Sequence, residues 1–202
     1  LTALARAIDA KSPWTAGHSE RVTALAHALG TELALSEEDL DRIHRGGLLH
    51  DIGKIGIPAE VLDKPDKLTV NERRIMETHP VIGVRILAPI AAYADVLSLV
   101  RHHHERWDGL GYPDRLAGEA IPILARVLAV ADVYDALTSP RPYRPGLEPE
   151  KALAEIRAGA GTAFDPRIVA AFIRLLATQG RAESPVLAAL RSRPSLVLPA
   201  AT

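Results

Sequence analysis

Histidines and aspartates recur on the apolar faces of this chain's helical stretches, and that recurrence limits the folds open to it. His18 shares a face with Val22, Leu25 and Leu29. His50 and Asp51 follow Ile43 and Gly46-Gly47 at helical spacing. His79 lies four residues after Ile75, His103 and His104 follow Val96 and Val100, and Asp132 lies four after Leu128. Residues three or four apart stack on one side of a helix, so all seven groups are expected to point inward. A buried imidazole or carboxylate is costly unless hydrogen-bonded, ion-paired or metal-bound. Seven such groups from five segments are hard to satisfy with core hydrogen bonds and easy to satisfy with two metal ions. The other histidines differ. His27 falls with Glu20, Thr23 and Thr31 on a polar face, His102 falls with Ser98 and Arg106, and His44 beside Asp41 is ambiguous.

The periodicity predicts a nearly all-helical chain. Helices are expected over 1–11, 15–34, 36–50, 69–78, 81–87, 95–107, 123–137, 149–158 and 166–177. Ser36 and Asp39 resemble a capping start, and Thr69 is placed to cap the next long helix. The stretch 51–68 is loop-like, with one turn around 59–62, and 108–122 is a loop rich in Gly and Pro. No strand, repeat or internal boundary stands out. We expect one catalytic domain to about residue 180, then a short helix and a flexible tail over 181–202.

Composition excludes several classes. The 202 residues carry a net charge of −1, so no global basic field attracts a nucleic acid polymer or an anionic membrane. No cysteine is present, which removes disulfides, thiolate metal sites and cysteine nucleophiles. Any metal site must use nitrogen and oxygen. No apolar run approaches the roughly 18 residues of a membrane span, and no signal peptide is visible, so a cytoplasmic location is expected. The chain begins at Leu1 inside a helical pattern, which suggests a fragment of a longer protein.

Three segments carry chemistry. The first reads HDIGKIGIP from His50. A histidine offers one nitrogen to a metal, and the adjacent Asp51 has two oxygens with which to bridge two. Alone, this segment reads equally well as a helix C-terminus, with the dipole favouring His and a glycine stop. A P-loop is rejected, because Leu48 and Ile55 stand where Gly and Ser/Thr are required. Lys54 could hold a phosphate or a metal-bound water as a point charge, or be a solvated loop lysine. The second segment reads HHERWDGLGYP from His103. Its paired imidazoles can flank one ion, Gly109 and Gly111 let the loop fold back, and Tyr112 places a ring and a hydroxyl where a substrate would arrive. The third reads ADVYDALTSPRPYR from Ala131. Asp132 is the last candidate ligand. Asp135 is either a carboxylate supporting a ligating His or Lys54, or a cap or surface group. Arg141 and Arg144 suit phosphate, although two loop arginines are most often solvated. The ligand segments lie 24 to 32 residues apart, about one helical hairpin each, as in dimetal helical bundles.

The spaced set H…HD…H…HH…D, with HDIGK and HHERWDGLGYP, resembles the HD-GYP domain, a branch of the HD superfamily of metal-dependent phosphohydrolases. The resemblance runs from about residue 1 to 177, and Gly111-Tyr112-Pro113 is the triplet that names the group. It implies an all-α HD-domain bundle with a dimetal site in its core. The implied activity is hydrolysis of cyclic di-GMP, a bacterial second messenger, to pGpG and sometimes GMP. His18, His50, Asp51 and Asp132 match the ligands of one metal, and Asp51, His79, His103 and His104 those of the other. Lys54 matches a catalytic lysine near a metal-bridging hydroxide, and Tyr112, Arg141 and Arg144 match substrate contacts. The donor set suits iron or manganese, with zinc or nickel as competitors. A Glu that gives some members a third metal is replaced here by Trp14, so two metals are expected. The implied partners are an N-terminal receiver or sensor domain, a diguanylate cyclase bearing a GGDEF domain, and a second copy in a homodimer. Two other readings stand beside it: an HD hydrolase of another nucleotide or a mixed cyclic dinucleotide, and a non-catalytic binding or docking module.

Overall fold

α8 (Ile123–Thr138) is the axis around which the other long helices pack. Its run from Val127 to Asp132 is buried without interruption, as befits a helix surrounded by other helices. The computed structural model describes residues 1–12, 15–140 and 145–179. Trp14, Arg141, Arg144 and the 181–202 tail lie outside the described residues. Before α8 come α1 (Thr2–Asp9), α2 (His18–Glu32), α3 (Glu37–Leu49), α4 (Ala59–Leu62), α5 (Val70–Met76), α6 (His79–Leu87) and α7 (Leu97–His102). After it come α9 (Pro149–Ala158) and α10 (Pro166–Gln179). Short 3₁₀ turns cover Ile52–Gly56, Ala91–Val96 and Gly118–Ala120. The expected all-α architecture is what forms. Among the described residues the only β feature is an isolated bridge between Ala160 and Phe164.

Local chemistry sets most boundaries where the sequence puts them. Ser36 Oγ accepts from Asp39 N at 3.2 Å, and Thr69 and Glu72 form a reciprocal capping box at α5. Pro149 and Pro166 open α9 and α10, where the missing N–H costs nothing. Several boundaries differ from expectation: the 15–34 helix covers only His18–Glu32. The 69–78 helix ends at Met76, and α6 starts at His79, ahead of the expected Val81, because Pro80 is tolerated in a first turn. The 95–107 helix is divided into the 3₁₀ turn Ala91–Val96 and α7, which stops at His102.

Leu25, Leu29, Ile43, Leu49, Val100, Leu128 and Phe172 are fully buried and join α2, α3, α7, α8 and α10 in one core. Tyr134 meets Phe172 edge to face, with ring centroids 5.0 Å apart. This packing brings the start of α2, the end of α3, the start of α6, the end of α7 and the second half of α8 together. Those five places carry His18, His50-Asp51, His79, His103-His104 and Asp132.

Candidate metal centre

Six of the seven expected groups are buried and His104 is partly so, while His27 and His44 are exposed. His102 is half-buried and pairs with Asp114 at 2.9 Å, outside the cluster. The face argument fails at two residues. Thr23, expected on the polar face with His27, is buried and bonds the Ser19 carbonyl. Ile75 is 41% exposed, so His79 is inward not through Ile75's stripe but as the first residue of a new helix.

Four of the histidines share one arrangement. His50 Nδ1 donates to Gly47 O at 2.6 Å, His79 Nδ1 to Met76 O at 2.8 Å and His103 Nδ1 to Val100 O at 2.8 Å. His18 Nδ1 donates to Asp135 Oδ2 at 2.7 Å. Carbonyls and carboxylates only accept, so Nδ1 carries a hydrogen in each ring and Nε2 is the atom left to face a metal. These Nε2 atoms converge. His79 Nε2 and His103 Nε2 are 3.4 Å apart, and His50 Nε2 is 3.4 Å from Asp51 Oδ2. Asp51 faces both ways: Oδ2 lies 3.7 Å from His18 Nε2, and Oδ1 lies 3.3 Å from His79 Nε2.

Two sets of ligand atoms result. Asp51, His79, His103 and His104 place one donor atom each within 4.8 Å of one another, and so do His18, His50 and Asp51. Asp132 Oδ1 adjoins the second set, 3.3 Å from His18 Nε2. Among the described residues, His50 Nε2 and Asp51 Oδ1 are buried with no hydrogen-bond partner. An unsatisfied buried polar atom is expensive, and a divalent cation is the partner these two fit. The cluster is therefore able to hold metal.

Electrostatics agree with the geometry. Burial drives His103 well below the ordinary histidine range, with His104, His50 and His79 adding to it. Burial and His79 push His104 down to about 3, so both rings are neutral donors. Burial opposes the charged form of His18, yet Asp132 and Asp135 raise its pKa to about 9. Burial also works against an ionised Asp51, but Lys54 and the surrounding histidines hold it well below the usual carboxylate value. Lys54 Nζ rests on Asp51 Oδ2 at 2.5 Å.

Asp135 supports His18 rather than Lys54. Its carboxylate also takes Arg21 through Nε at 2.7 Å and Nη2 at 3.0 Å. Arg21 was not singled out in the sequence, although it stands three residues after His18 on the same helix. Tyr112 lies beside His104, ring centroids 4.9 Å apart, and burial keeps its phenol protonated. Glu105, also missed, is buried and holds the Gly-Tyr-Pro loop by accepting from Asp114 N at 2.7 Å and Leu116 N at 3.1 Å. A Cβ at Gly111 would collide with the backbone of Arg106 and His104, so only glycine lets this loop return to α7. A cleft of about 660 Å³ opens at His104 and Tyr112, with Arg73, Arg74, Arg85, Arg106 and Arg115 on its walls. Arg73 pairs with Glu77 and Arg106 with Asp108. Arg74, Arg85 and Arg115 form no ion pair among the described residues.

Known proteins agree with this reading of the fold. The HD domain family matches residues 2–168. The cyclic di-GMP phosphodiesterase response regulator RpfG of Xanthomonas campestris is 47% identical over 176 residues, covering 86% of this chain and 47% of that protein. The 3′3′-cGAMP-specific phosphodiesterase 3 of Vibrio cholerae is 40% identical over 176 residues, covering 87% of this chain and 38% of that protein. The chain thus spans less than half the length of these relatives. A crystal structure of a cyclic GMP-AMP-specific phosphodiesterase from V. cholerae superposes with a TM-score of 0.68 at 23% identity, covering 96% of this chain and 53% of that one, and so shares the fold. The chain belongs to the HD domain family, and its HDIGK segment at the end of α3 and Gly-Tyr-Pro loop over His104 are the features that resemble the HD-GYP branch.

Proposed function

We propose that this chain is the catalytic part of a phosphodiesterase that hydrolyses cyclic di-GMP to linear pGpG, and in further turnover to GMP. One observation carries the reading: the two oxygens of Asp51 face two separate histidine groups in one buried cluster. In this reading His18, His50, Asp51 and Asp132 hold one ion, and Asp51, His79, His103 and His104 hold the other. Trp14 in place of a third-site carboxylate supports two ions rather than three. Iron or manganese suits the nitrogen and oxygen donors best, with zinc or nickel as competitors. Bound there, two divalent ions supply an acidified water and a Lewis-acid clamp on phosphate.

The side chains do the rest. Each outward Nδ1 bond fixes the ring plane and tautomer that its Nε2 needs. Lys54 sets a positive charge at the rim of the cluster, where it would neutralise phosphate oxygens in the transition state. Tyr112 offers a flat face and a neutral hydroxyl beside His104. Arg74, Arg85 and Arg115, with no ion pair among the described residues, would raise the local concentration of an anionic substrate. By resemblance, Arg141 and Arg144 add phosphate contacts from the loop after α8.

Regulation belongs to this proposal too. A receiver or sensor domain, a GGDEF-bearing cyclase and a homodimer are the partners the resemblance implies. No described helix is long and apolar enough to cross a membrane. A cytoplasmic location goes with an intracellular messenger as substrate.

The alternative substrate is specific, because relatives at about the same identity are named for 3′3′-cGAMP. Anaerobic reconstitution with ferrous iron or manganese, followed by chromatography of parallel incubations, separates the two. Faster conversion of cyclic di-GMP, blocked by EDTA, supports the proposal. Preference for 3′3′-cGAMP moves the assignment to the mixed dinucleotide, and metal-bound protein that cleaves neither removes it.

A further inference from the structure

Lys11 follows α1 and spends its whole hydrogen-bonding capacity on one turn. Its ammonium donates to Lys54 O at 2.6 Å, Ile55 O at 2.6 Å and Ile57 O at 2.7 Å. An ammonium has three N–H donors, so none is left over. Bonds with an ionised donor are about twice as strong as neutral ones. Two of the three carbonyls belong to the 3₁₀ turn Ile52–Gly56, and the third is the residue that leaves it. That turn begins directly after Asp51 and carries Lys54, whose side chain meets Asp51.

The same few residues also grip the start of α2. Asp9 accepts from Ser19 N at 3.1 Å and Ser19 Oγ at 2.7 Å, one residue after His18. Thr15 Oγ1 donates to Asp9 O at 2.7 Å. The stretch from Asp9 to Lys11 therefore braces two parts of the centre that are 36 residues apart in sequence, His18 and Lys54. Neither Asp9 nor Lys11 touches a candidate ligand atom.

We propose that Lys11 is a positioning residue for Lys54: it fixes the backbone of the 52–57 turn and thereby sets where the Lys54 ammonium stands relative to Asp51. The inference rests on the reading of Lys54 as the cation that meets phosphate. A lysine that merely clamps two surface segments would contribute stability alone, and the two roles separate experimentally.

The test is a double-mutant cycle on the metal-reconstituted chain, using Lys11→Met, Lys54→Ala and both together. Turnover is followed with cyclic di-GMP and with bis(p-nitrophenyl) phosphate as a simple diester. Lys11→Met is expected to lower kcat by about tenfold to a hundredfold, the scale of a misplacement near 1 Å. KM and metal content stay within about twofold. In the Lys54→Ala background the same change costs less than about twofold, because residues acting through one another are not additive. Hydrogen exchange supplies an arm independent of turnover: the amides of 52–57 exchange faster in Lys11→Met, and those of α3 do not. Additive losses, or unchanged exchange over 52–57, overturn the inference. If wild-type protein cleaves neither ester, the functional reading fails by itself, and the exchange arm still decides whether Lys11 holds the turn.

Discussion

At the scale of single residues, four of the five imidazoles of the centre have one nitrogen tied and one nitrogen presented. Three tie to carbonyls of their own chain turn, and His18 ties to Asp135. Asp135→Asn keeps the shape but removes the charge that holds His18 and Arg21. Loss of such a supporting carboxylate should weaken metal binding by about 10- to 100-fold, read by chelator competition. His18 adds a pH dependence. In stripped protein its pKa is raised to about 9 by Asp132 and Asp135 against burial, so near neutrality it carries a proton that metal must displace. Metal affinity should rise as pH goes from 7 to 9, and titrations at the two pH values check it. The seven inward groups were legible because helix faces expose buried polar side chains to counting. His79 was legible for a reason the structure replaces: Pro80 opens a new helix at His79, and exposed Ile75 belongs to the one before. Arg21 and Glu105 were not legible, since nothing in their spacing shows that a buried partner awaits them.

At the scale of elements, the turn after Asp51 and the start of α6 meet backbone to backbone. A Cβ at Gly53 would collide with the His79 carbonyl and the Gly83 amide. Gly53→Ala should therefore displace α6 and cost about 1–3 kcal/mol, as overpacking does. Thermal unfolding should fall, with loss of metal from the His79 set. The capping box of α5 makes a separate prediction. Lys64, then the Thr69 backbone and hydroxyl, lower the Glu72 pKa to about 2. A depressed carboxylate stabilises above its unfolded value near 4.5 and loses that contribution as pH falls toward 2. Glu72→Gln should be less stable than wild type at pH 7, and urea unfolding should show the gap narrowing as pH falls from about 4.5 toward 2. Thr69→Ala should cost about 1 kcal/mol at pH 7 and less as pH falls toward 2, because the hydroxyl also donates to the ionised Glu72. The caps were readable because their pattern is local. The cleft arginines were not, because Arg74, Arg85 and Arg115 come from three separate segments that only the packing of α5, α6 and the Gly-Tyr-Pro loop brings together.

At the scale of the whole molecule, the bundle spends its core on presenting one buried polar cluster, and metal should be part of its stability. A ligand at about 100 times its dissociation constant stabilises by roughly 2.7 kcal/mol, so stripping metal should lower Tm by on the order of 5–10 °C for a domain of this size. Differential scanning of reconstituted and chelated protein reads that shift. The central claim is that Asp51 joins two ion sites into one catalytic unit. Stepwise addition of manganese to stripped protein, with cyclic di-GMP turnover followed at each equivalent, tests it most directly. We predict that activity lags the first equivalent, rises with the second, and is absent at every ratio in Asp51→Ala. Full activity at one equivalent, or turnover indifferent to EDTA, would contradict it.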